Sequence, residues 1–475
     1  MFESVIGLEV HLAVNTASKL FCTCHADSFG RPPNSVTCPV CLGLPGTLPR
    51  VNRAAVEKAV MLSLALGCSV PDYSRFSRKH YFYPDAPKNY QTSQADGPFG
   101  EHGSLTLKGG RSIGVTRCHL EEDAGRSVHP EYQDHSLIDL NRAGAALIEL
   151  VTEPDIRTPA EAREFLQQIR SVARALGVSD ASPEEGKMRA DVNVSLRRPG
   201  EELGVKVEIK NLNSFRSVQG ALEYEIRRQA DLLDAGKQVT QQTRGWNEGG
   251  QKTYLMREKE TSADYRYLED PDIAPVALDA PWLERIRLAS GELPDAKEAR
   301  YLAAGVREAD ATLIAFERDL ATFFDAALSE LSAQESGATP QQLANWLGSD
   351  VSGWLNTNGL SLDGSGLTPT LLVSLVSLIA RSEISGKTAK DLLPEVMQGA
   401  DPATLVAERG LGQISDDAAV GELVDGVLSA NPALVAKTRE NPNAINALLG
   451  LVMRESRGKA RPELVRGLLE ERLGL

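Results

Sequence analysis

The chain has 475 residues, of which 42% are apolar, and its formal net charge is −14. A chain of this length can bury two or three cores, so we expect a multidomain protein, and the negative charge argues against one that coats nucleic acid nonspecifically. The apolar runs are far shorter than the roughly 20 residues of a membrane helix, and Glu3 stands where a signal peptide is positive, so we expect a cytoplasmic protein without a membrane partner.

The first predicted element is a β-strand at residues 6–12, where apolar and other side chains alternate strictly. This period of two puts the apolar residues on one face and leaves Glu9 and His11 on the other, about 7 Å apart. Both side chains can therefore reach one site. An ordinary half-solvated sheet produces the same pattern, so the alternation of one strand does not establish a function.

The next feature is a cysteine-rich loop at residues 22–41. A C-x-C pair and a C-x-x-C pair are separated by thirteen residues, and their members are Cys22, Cys24, Cys38 and Cys41. Two close pairs of thiolates suit a tetrahedral zinc ion, which has no redox chemistry and can act as a structural clip. Disulfide bonds and four buried thiols are the alternatives, but disulfide frameworks belong to small secreted chains. We predict a structural Zn²⁺.

A basic and aromatic segment follows at residues 78–84. Cations that meet phosphates and aromatic rings that stack on unpaired bases are typical of RNA contacts. The candidate side chains are Arg78, Lys79, Tyr81 and Tyr83. An edge strand with Phe82 packed inward explains the segment equally well.

Acidic and polar side chains recur in three later segments. Residues 117–125 contain Glu121 and Glu122 before a glycine turn, and a solvated loop is the alternative there. Strict alternation predicts strands at 190–196 and 205–210, whose polar faces carry Asp191, Asn193, Glu208 and Lys210. Carboxylates hold Mg²⁺ and lysines meet phosphate oxygens, so these faces together suit a magnesium–nucleotide site.

The second half of the chain has a different texture. From about residue 292 apolar residues recur every three or four positions, which predicts helices, and a linker-like segment lies near 400. We therefore predict an α+β domain at 1–291, a helical domain at 292–400 and a small helical tail at 401–475. All histidines and cysteines lie in the first domain, so metal chemistry is expected there. The sequence contains no Gly-rich phosphate loop, so any ATP would bind on an open sheet.

Many ordered blocks of the chain resemble the B subunits of bacterial aspartyl/glutamyl-tRNA amidotransferases. The blocks are VIGLEVHLAVNTASKLFC at 5–22, RKHYFYPDAPKNYQTSQ at 78–94, RCHLEEDAGRS at 117–127, LIDLNRAGAALIELVTEPDIR at 137–157, MRADVNVSLR at 188–197, VEIKNLNSF at 207–215, DYRYLEDPD at 264–272 and GLVMRESRGKARPELVRGLL at 450–469. A match in so many ordered blocks is far more specific than one short motif.

The resemblance implies a fold and a reaction. The fold is a cradle domain similar to glutamine synthetase with a large antiparallel sheet, an all-α domain, and a tail similar to a small tRNA-binding module. The substrates are Glu-tRNA(Gln) and Asp-tRNA(Asn), whose side-chain carboxylate is phosphorylated by ATP. Ammonia then displaces phosphate and gives Gln-tRNA or Asn-tRNA.

The resemblance also implies roles for individual residues. It assigns Mg²⁺ binding and phosphoryl transfer to Glu9, His11, Glu121, Asp191 and Glu208, with Lys210 for phosphate charge and with Glu122 and Asn193 as second choices. In the tail, a basic turn between two apolar helical stretches is a candidate tRNA contact. Its members are Arg454, Arg457, Lys459 and Arg461. A solvated loop is the alternative.

Partners follow from what the chain lacks. It has no Gly-rich serine cluster of the kind that holds an amidase nucleophile, so the glutaminase is expected on a separate chain. The resemblance implies an amidase-type glutaminase, called the A subunit in that family, and a small C subunit, and the cognate aminoacyl-tRNA synthetase is a further candidate partner. Two other functions stay open: an ATP-dependent ligase for a free acid, and a noncatalytic protein that docks tRNA.

Overall fold

The structure is a computed structural model that describes residues 2–130, 134–258, 265–333, 336–413, 417–456 and 460–474. The chain separates into two compact units, Met1–Pro294 and Asp295–Leu475. Among the helices in these described ranges, none is long and apolar enough to cross a bilayer.

The first unit is built on a large sheet. The described strands of the chain are β1 Glu3–Ala13, β2 Tyr73–Ser74, β3 Ser77–His80, β4 Tyr90–Ser93, β5 Gly100–Thr106, β6 Ser112–Glu122, β7 Arg126–Val128, β8 Leu137–Asp139, β9 Ala146–Thr152, β10 Met188–Arg197, β11 Val207–Lys210, β12 Gln242–Asn247, β13 Lys252–Glu258, β14 Leu268–Glu269 and β15 Val276–Ala277. Eight of these described strands form the sheet in the order β13-β12-β11-β10-β1-β9-β6-β5. Neighbours are antiparallel except β11 and β12, which are parallel. The α+β fold with a large, mostly antiparallel sheet is therefore confirmed.

Helices cover one face of this sheet. They are α1 Arg53–Ala65, α2 Pro159–Ala175 and α3 Phe215–Asp234, and α4 Ala280–Ala289 packs on α1. The start of α2 is set by a capping box, because the Thr158 hydroxyl accepts from the Glu161 backbone N–H and the Glu161 carboxylate accepts from the Thr158 N–H, both at 3.1 Å. Pro159 fits the first turn, where no backbone donor is needed.

The core of the first unit lies between the sheet and these helices. The even-numbered side chains Leu8, Val10 and Leu12 of β1 are buried there, against helix residues such as Phe165 and Val218. Since side chains of a strand alternate between faces, the odd-numbered residues of β1 point to the other face, which these helices leave open. The strand predicted at 6–12 is thus confirmed, and its polar face is the accessible one.

The second unit is helical. Its helices are α5 Pro294–Ala303, α6 Glu308–Ala315, α7 Arg318–Ala333, α8 Pro340–Asn345, α9 Ser352–Asn358, α10 Pro369–Ala380, α11 Gly386–Val396, α12 Pro402–Arg409, α13 Asp417–Ala430, α14 Pro432–Glu440, α15 Ile445–Glu455 and α16 Pro462–Leu473, with a π-helical turn at Trp346–Val351 and a 3₁₀ turn at Pro442–Ala444. One apolar cluster contains buried residues between 301 and 405, and another contains residues between 420 and 473. Leu405 of α12 belongs to the first cluster, although the predicted tail begins at 401. The division into three domains stays a prediction.

Candidate functional site

A row of charged side chains crosses the open face of the sheet. Glu9 on β1 lies opposite Asp191 on β10, and His11 on β1 lies opposite Glu149 on β9. Glu149 in turn lies opposite His119 on β6. Directly opposite residues of antiparallel strands share a face, so the register itself brings these side chains together.

A cleft of about 690 Å³ lies over this row. It collects the sequence-predicted residues from four strands: Glu9, His11, Glu121, Asp191, Glu208 and Lys210 all line it. Residues up to about 200 positions apart in the chain therefore share one site. The roles expected of these residues stay predictions.

His11, Glu121 and Glu149 form a group that could hold a metal ion. One ligand atom from each lies within 4.8 Å of the others. The Nε2 atom of His11 is 3.4 Å from Oε2 of Glu149 and 3.9 Å from Oε1 of Glu121. Two carboxylates and a neutral imidazole fit a divalent cation, with oxygen ligands of the kind that Mg²⁺ prefers.

His119 lies behind this group and is almost completely buried. Its Nε2 atom is 3.4 Å from Oε2 of Glu149 and 3.6 Å from Oε2 of Glu121. Burial lowers the pKa of His119, but the negative charge of Glu149 and the hydrogen bonds to both carboxylates outweigh it and raise the pKa to about 9. Burial raises the pKa of Glu149, whereas the charge of His119 and the contact with His11 hold it well below its usual range. The two carboxylates are therefore fixed between two imidazoles.

A second group of charges lies on β10 and β11. Lys210 Nζ is 2.5 Å from Oδ2 of Asp191 and 3.0 Å from Oε1 of Glu208. Burial lowers the pKa of Lys210, but the charge of Asp191 outweighs this and the pKa is raised. Asn193 does not line the main cleft, but its Nδ2 donates to Oε1 of Glu9 at 3.0 Å. A permanent cation thus lies in a site rich in carboxylates.

The rim of the cleft is basic and aromatic. The Lys79 ammonium lies 4.8 Å from the centre of the Tyr265 ring, and Tyr81 is stacked on Tyr83 at 5.8 Å. Arg189 also lines the cleft, and its Nη2 donates to both Asp123 oxygens at 3.1 and 3.2 Å. Lysine, arginine and tyrosine in this arrangement can meet phosphates and stack on bases.

Of the four candidates in the segment at 78–84, the two tyrosines point outward, whereas Arg78 and Lys79 are half-buried. Tyr81 and Tyr83 are exposed, and so is Phe82, at 70%. The alternative in which Phe82 packs inward is therefore wrong. Arg78, by contrast, is bound inside the protein through ion pairs with Asp270 at 3.1 Å and Asp272 at 2.8 Å, which leaves fewer of its donors for a phosphate.

Glu122 also lies apart from the cleft. Its carboxylate is 2.5 Å from Lys88 Nζ and accepts the Thr92 backbone N–H at 2.7 Å. It lines a separate pocket of about 200 Å³ that includes Cys22 and Cys41. The structure therefore separates Glu121 and Glu122, which the sequence presented together.

Two residues that sequence reasoning missed are Glu149 and His119. Glu149 is the single acid in the buried strand ALIELVT, and an isolated carboxylate in such an apolar run was the signal that could have identified it. His119 belongs to the segment 117–125, of which the prediction uses only the acids that follow it. Only the sheet register shows that Glu149 lies between His11 and His119.

The cysteine loop forms a second candidate metal site. The four Sγ atoms of Cys22, Cys24, Cys38 and Cys41 lie within 4.8 Å of one another. Tetrahedral zinc with Zn–S bonds near 2.3 Å needs sulfurs about 3.8 Å apart, so the donor set fits. All six cysteines lie in described ranges and are free thiols, so the disulfide alternative is wrong.

Hydrogen bonds and a nearby lysine stabilise the thiolate form of Cys41, the form that binds a metal cation. Cys41 accepts hydrogen bonds from Cys22 and from the Cys38 backbone N–H, and the buried Lys19 ammonium is 3.7 Å from its Sγ. The hydrogen bond from Cys22 leads in lowering the pKa of Cys41, to about 4, which favours the thiolate that binds metal. Cys22 and Cys41 line a pocket other than the main cleft, which favours a structural role for the four cysteines.

The basic turn of the tail is only partly described. Arg454 is exposed at the end of α15, and Arg461 is half-buried just before α16. Arg457 and Lys459 lie outside the described residues. Contact of this turn with tRNA stays a prediction.

Comparison with known proteins gives a consistent result over the whole chain. A family profile described as the GatB/GatE catalytic domain matches residues 4–284, and one described as the GatB domain matches residues 327–473. Among curated relatives, the B subunit of the aspartyl/glutamyl-tRNA(Asn/Gln) amidotransferase of Thermus thermophilus is 56% identical over 476 residues and covers 100% of both chains. The proteins of the same name from Deinococcus radiodurans and Brevibacillus brevis are 53% identical over 478 residues and 44% identical over 477, and they cover 100% and 99% of this chain and 100% and 98% of their own.

Proposed function

The chain belongs to the GatB family, the B subunits of aspartyl/glutamyl-tRNA(Asn/Gln) amidotransferases, and we propose that it performs the activation and amidation steps of that reaction. In this proposal ATP phosphorylates the side-chain carboxylate of Glu-tRNA(Gln) or Asp-tRNA(Asn), and ammonia then replaces the phosphate. The observation that supports this proposal best is that a metal-capable cluster and the half-buried cation Lys210 line the same open cleft.

The chemistry explains why such a cleft is needed. A carboxylate is a poor electrophile because its leaving group would be oxide, whereas an acyl phosphate releases phosphate. Negative charge gathers on the phosphoryl oxygens during transfer and must be met by fixed cations. Lys210 is held in place by Asp191 and Glu208, so it can meet those oxygens without reorganising.

The metal-capable residues would complete the site. His11, Glu121 and Glu149 would hold Mg²⁺, which when bound neutralises phosphate oxygens and orients the transferring group. His119 contacts both carboxylates from behind and fixes their positions. Glu9 lies next along β1, and its hydrogen bond from Asn193 orients it toward the same cleft.

The rim suits the end of an aminoacylated tRNA. Lys79, Tyr81, Tyr265 and Tyr267 line the cleft, where they would contact phosphates and unpaired bases of the acceptor end. The relatives are named as B subunits, which implies that they work with partner chains. We propose that ammonia comes from a glutaminase, the A subunit, and that a small C subunit completes the assembly.

The test is ADP and acyl-phosphate formation by the purified assembly with Glu-tRNA(Gln), Asp-tRNA(Asn) or free glutamate. We expect turnover with at least one aminoacyl-tRNA and none with the free acid. Glu9→Gln should abolish amidation even with added ammonium, because carboxylate activation is lost. Rescue by ammonium would instead assign Glu9 to ammonia delivery, and turnover of free glutamate would favour a small-molecule ligase.

A further inference from the structure

Arg189 on β10 is a cation beside the metal-capable group. It lies directly opposite His11 of β1, and Glu149 of β9 lies on the other side of that histidine. Since opposite residues of antiparallel strands share a face, the register puts Arg189 on the open face. Arg189 lines the cleft, and its side chain is 40% exposed. A ligand in the cleft can therefore reach this guanidinium group.

The guanidinium group of Arg189 is anchored through one of its three nitrogens. Nη2 donates to both oxygens of Asp123, at 3.1 and 3.2 Å, and these are the hydrogen bonds that the side chain makes within the described part of the chain. A guanidinium group carries five N–H donors, so those on Nη1 and Nε are left for a ligand. Asp123 is itself held by Arg142, whose Nε lies 3.3 Å from Oδ2. Arg189 is thus fixed in position while most of its donors are still available.

The other cations that line the cleft suit a planar anion less well. Lys210 is paired with two carboxylates, and Lys79 lies against a tyrosine ring. Arg117 and Arg257 are exposed, so an anion bound there would have to order a long side chain at a cost in conformational entropy. Arg189 is already held in place, and its planar fork of donors matches the two oxygens of a carboxylate.

The substrate of the proposed reaction offers one carboxylate to such a fork. The α-carboxyl group of an aminoacylated tRNA is esterified to the ribose, so the side chain of the attached glutamate or aspartate carries the remaining carboxylate. In the product this group is an amide. Arginine has donors and no acceptor, so it can bind a carboxylate on either oxygen but faces the amide NH₂ with one donor against another. A site that uses arginine here therefore separates the acidic substrate from the amide product.

We propose that Arg189 binds the side-chain carboxylate of the aminoacylated tRNA and thereby distinguishes the substrate from the amide product. The inference rests on the proposed function, because it takes glutamyl-tRNA or aspartyl-tRNA as the substrate. One carboxylate oxygen bound to the guanidinium group leaves the other oxygen for the phosphoryl group. After amidation the guanidinium group has no anion to bind, which favours release of the product.

The test compares the binding of two probes that differ only in the side chain. Each probe is the tRNA that supports ADP formation, carrying either the acidic amino acid or its amide through an amide link that resists hydrolysis. Binding to the complete assembly is measured by fluorescence anisotropy without ATP, so no turnover occurs. Since a hydrogen bond to a charged group contributes about tenfold in affinity, we expect a preference of about tenfold for the acidic probe. Arg189→Met should abolish this preference and leave the affinity for uncharged tRNA within twofold.

Two other arginines provide matched controls. Arg142→Met removes the second partner of Asp123 but faces a separate pocket, and Arg117→Met removes one positive charge from the cleft itself. Both should keep the preference within twofold of the unmodified assembly. Asp123 keeps one arginine in each of the variants at Arg189 and Arg142, so its buried carboxylate stays paired. If Arg189→Met does not fold, Arg189→Lys keeps the charge but loses the fork, and it should lower the preference at least threefold.

Three results would overturn the inference. A variant at Arg189 that prefers the acidic probe as strongly as the unmodified assembly would show that the carboxylate binds elsewhere. Equal weakening of both probes and of uncharged tRNA would assign Arg189 to the tRNA backbone. An equal loss of preference in Arg117→Met would assign the effect to the net charge of the cleft.

ADP formation by the unmodified assembly is the separate check on the proposed function. If the assembly turns over but shows no preference for the acidic probe, the inference about Arg189 fails and the proposed function stands. If no aminoacylated tRNA supports ADP formation, the proposed function fails, and the inference fails with it.

Discussion

His11 on β1 and Glu149 on β9 face each other across the sheet, with Nε2 and Oε2 3.4 Å apart. Glu149 is shared, since its Oε2 is also 3.4 Å from Nε2 of His119 on the next strand. One carboxylate therefore joins three adjacent strands at the centre of the open face. This contact makes Glu149 the residue on which the metal-capable group depends.

Glu149→Gln keeps the size of the side chain but removes its charge. We expect the divalent-metal affinity of the chain and its tRNA-dependent ADP formation to fall by about 10- to 100-fold, because a ligand and the partner of two imidazoles are lost together. Calorimetric titration with Mg²⁺ and a steady-state ADP assay measure the two effects.

Glu3→Gln is the control on the same strand. Glu3 pairs with Arg157 at 2.8 Å and Arg197 at 3.0 Å, away from the cleft, so its loss should change stability little and leave metal affinity intact. Similar metal affinity in both variants would contradict a metal role for Glu149.

The strands that alternate in sequence were predictable, and the pairing between them was not. Period two identified β1 and β10 and the residues on their open faces. The same period of two explains why Glu121 and Glu122 lie in different pockets. Strand β6 extends through Glu122, and adjacent residues of a strand point to opposite faces. The prediction placed both acids before a turn, so that separation was missed.

Glu149 shows a different limit. Its strand is buried along most of its length, so the sequence of this strand does not alternate between apolar and polar residues. The neighbours of β9 are β1 and β6, which come from earlier parts of the chain, and such non-local pairing is not encoded in any local pattern. The parallel pairing of β11 with β12 was unpredictable for the same reason.

The cysteine loop should hold one zinc ion per chain. Its segment is tied to the stretch before β9, since Asn34 Nδ2 donates to the Ile138 carbonyl at 2.9 Å and the Val36 N–H donates to Asn141 Oδ1 at 2.8 Å. Cys38→Ser should therefore act mainly on stability: we expect a clear fall in melting temperature and a smaller effect on the phosphorylation rate. Metal analysis of the purified chain and thermal melts measure this.

Cys68→Ser is a comparison in the same unit, because Cys68 is buried in the main core and lies outside the four-sulfur group. It should leave the zinc content unchanged. A Cys38→Ser protein that melts like the unsubstituted chain, or an unsubstituted chain without metal, would rule out the clip.

Asp325 should make the stability of the helical unit depend on pH. Its carboxylate accepts from Lys297 at 2.9 Å, Arg300 at 2.8 Å and the buried Tyr301 hydroxyl at 2.8 Å. Burial raises the pKa of Asp325, but these hydrogen bonds outweigh it, so the pKa is lowered on folding. A lowered pKa contributes stability above the pKa of the unfolded state, about 4, and that contribution is lost as the pH falls through the folded value.

Asp325→Asn should therefore cost about 1–2 kcal/mol at pH 7 and progressively less below about pH 4. Thermal or urea unfolding across this pH range measures the difference. Asp391→Asn, at an exposed position of α11, is the control: its effect on stability should not shrink in this way as the pH falls. A cost for Asp325→Asn that does not change with pH would show that the carboxylate charge is not what the three donors stabilise.

The tail should contribute tRNA affinity without contributing to phosphoryl transfer. Leu405 packs into the apolar cluster of residues 301–405, so a truncation that removes 401–475 should destabilise that cluster, whereas one that removes 412–475 should leave it intact. With the second truncation we expect a higher KM for tRNA and a weaker dependence of tRNA affinity on salt. Each lost phosphate contact reduces the slope of log affinity against log salt concentration by about one unit.

Point variants separate the basic turn from the rest of the tail. Arg454→Ala combined with Arg461→Ala should reproduce part of the KM increase, while Lys437→Ala, an exposed cation on α14, should not. The measurement is the amidation rate against tRNA concentration at two salt levels. Because a phosphate contact acts through counterion release, a true tRNA contact must change the KM and the salt slope together. A truncation that changes neither would assign the tail to contacts with protein, and one that changes the KM without the slope would assign it to positioning of the acceptor end.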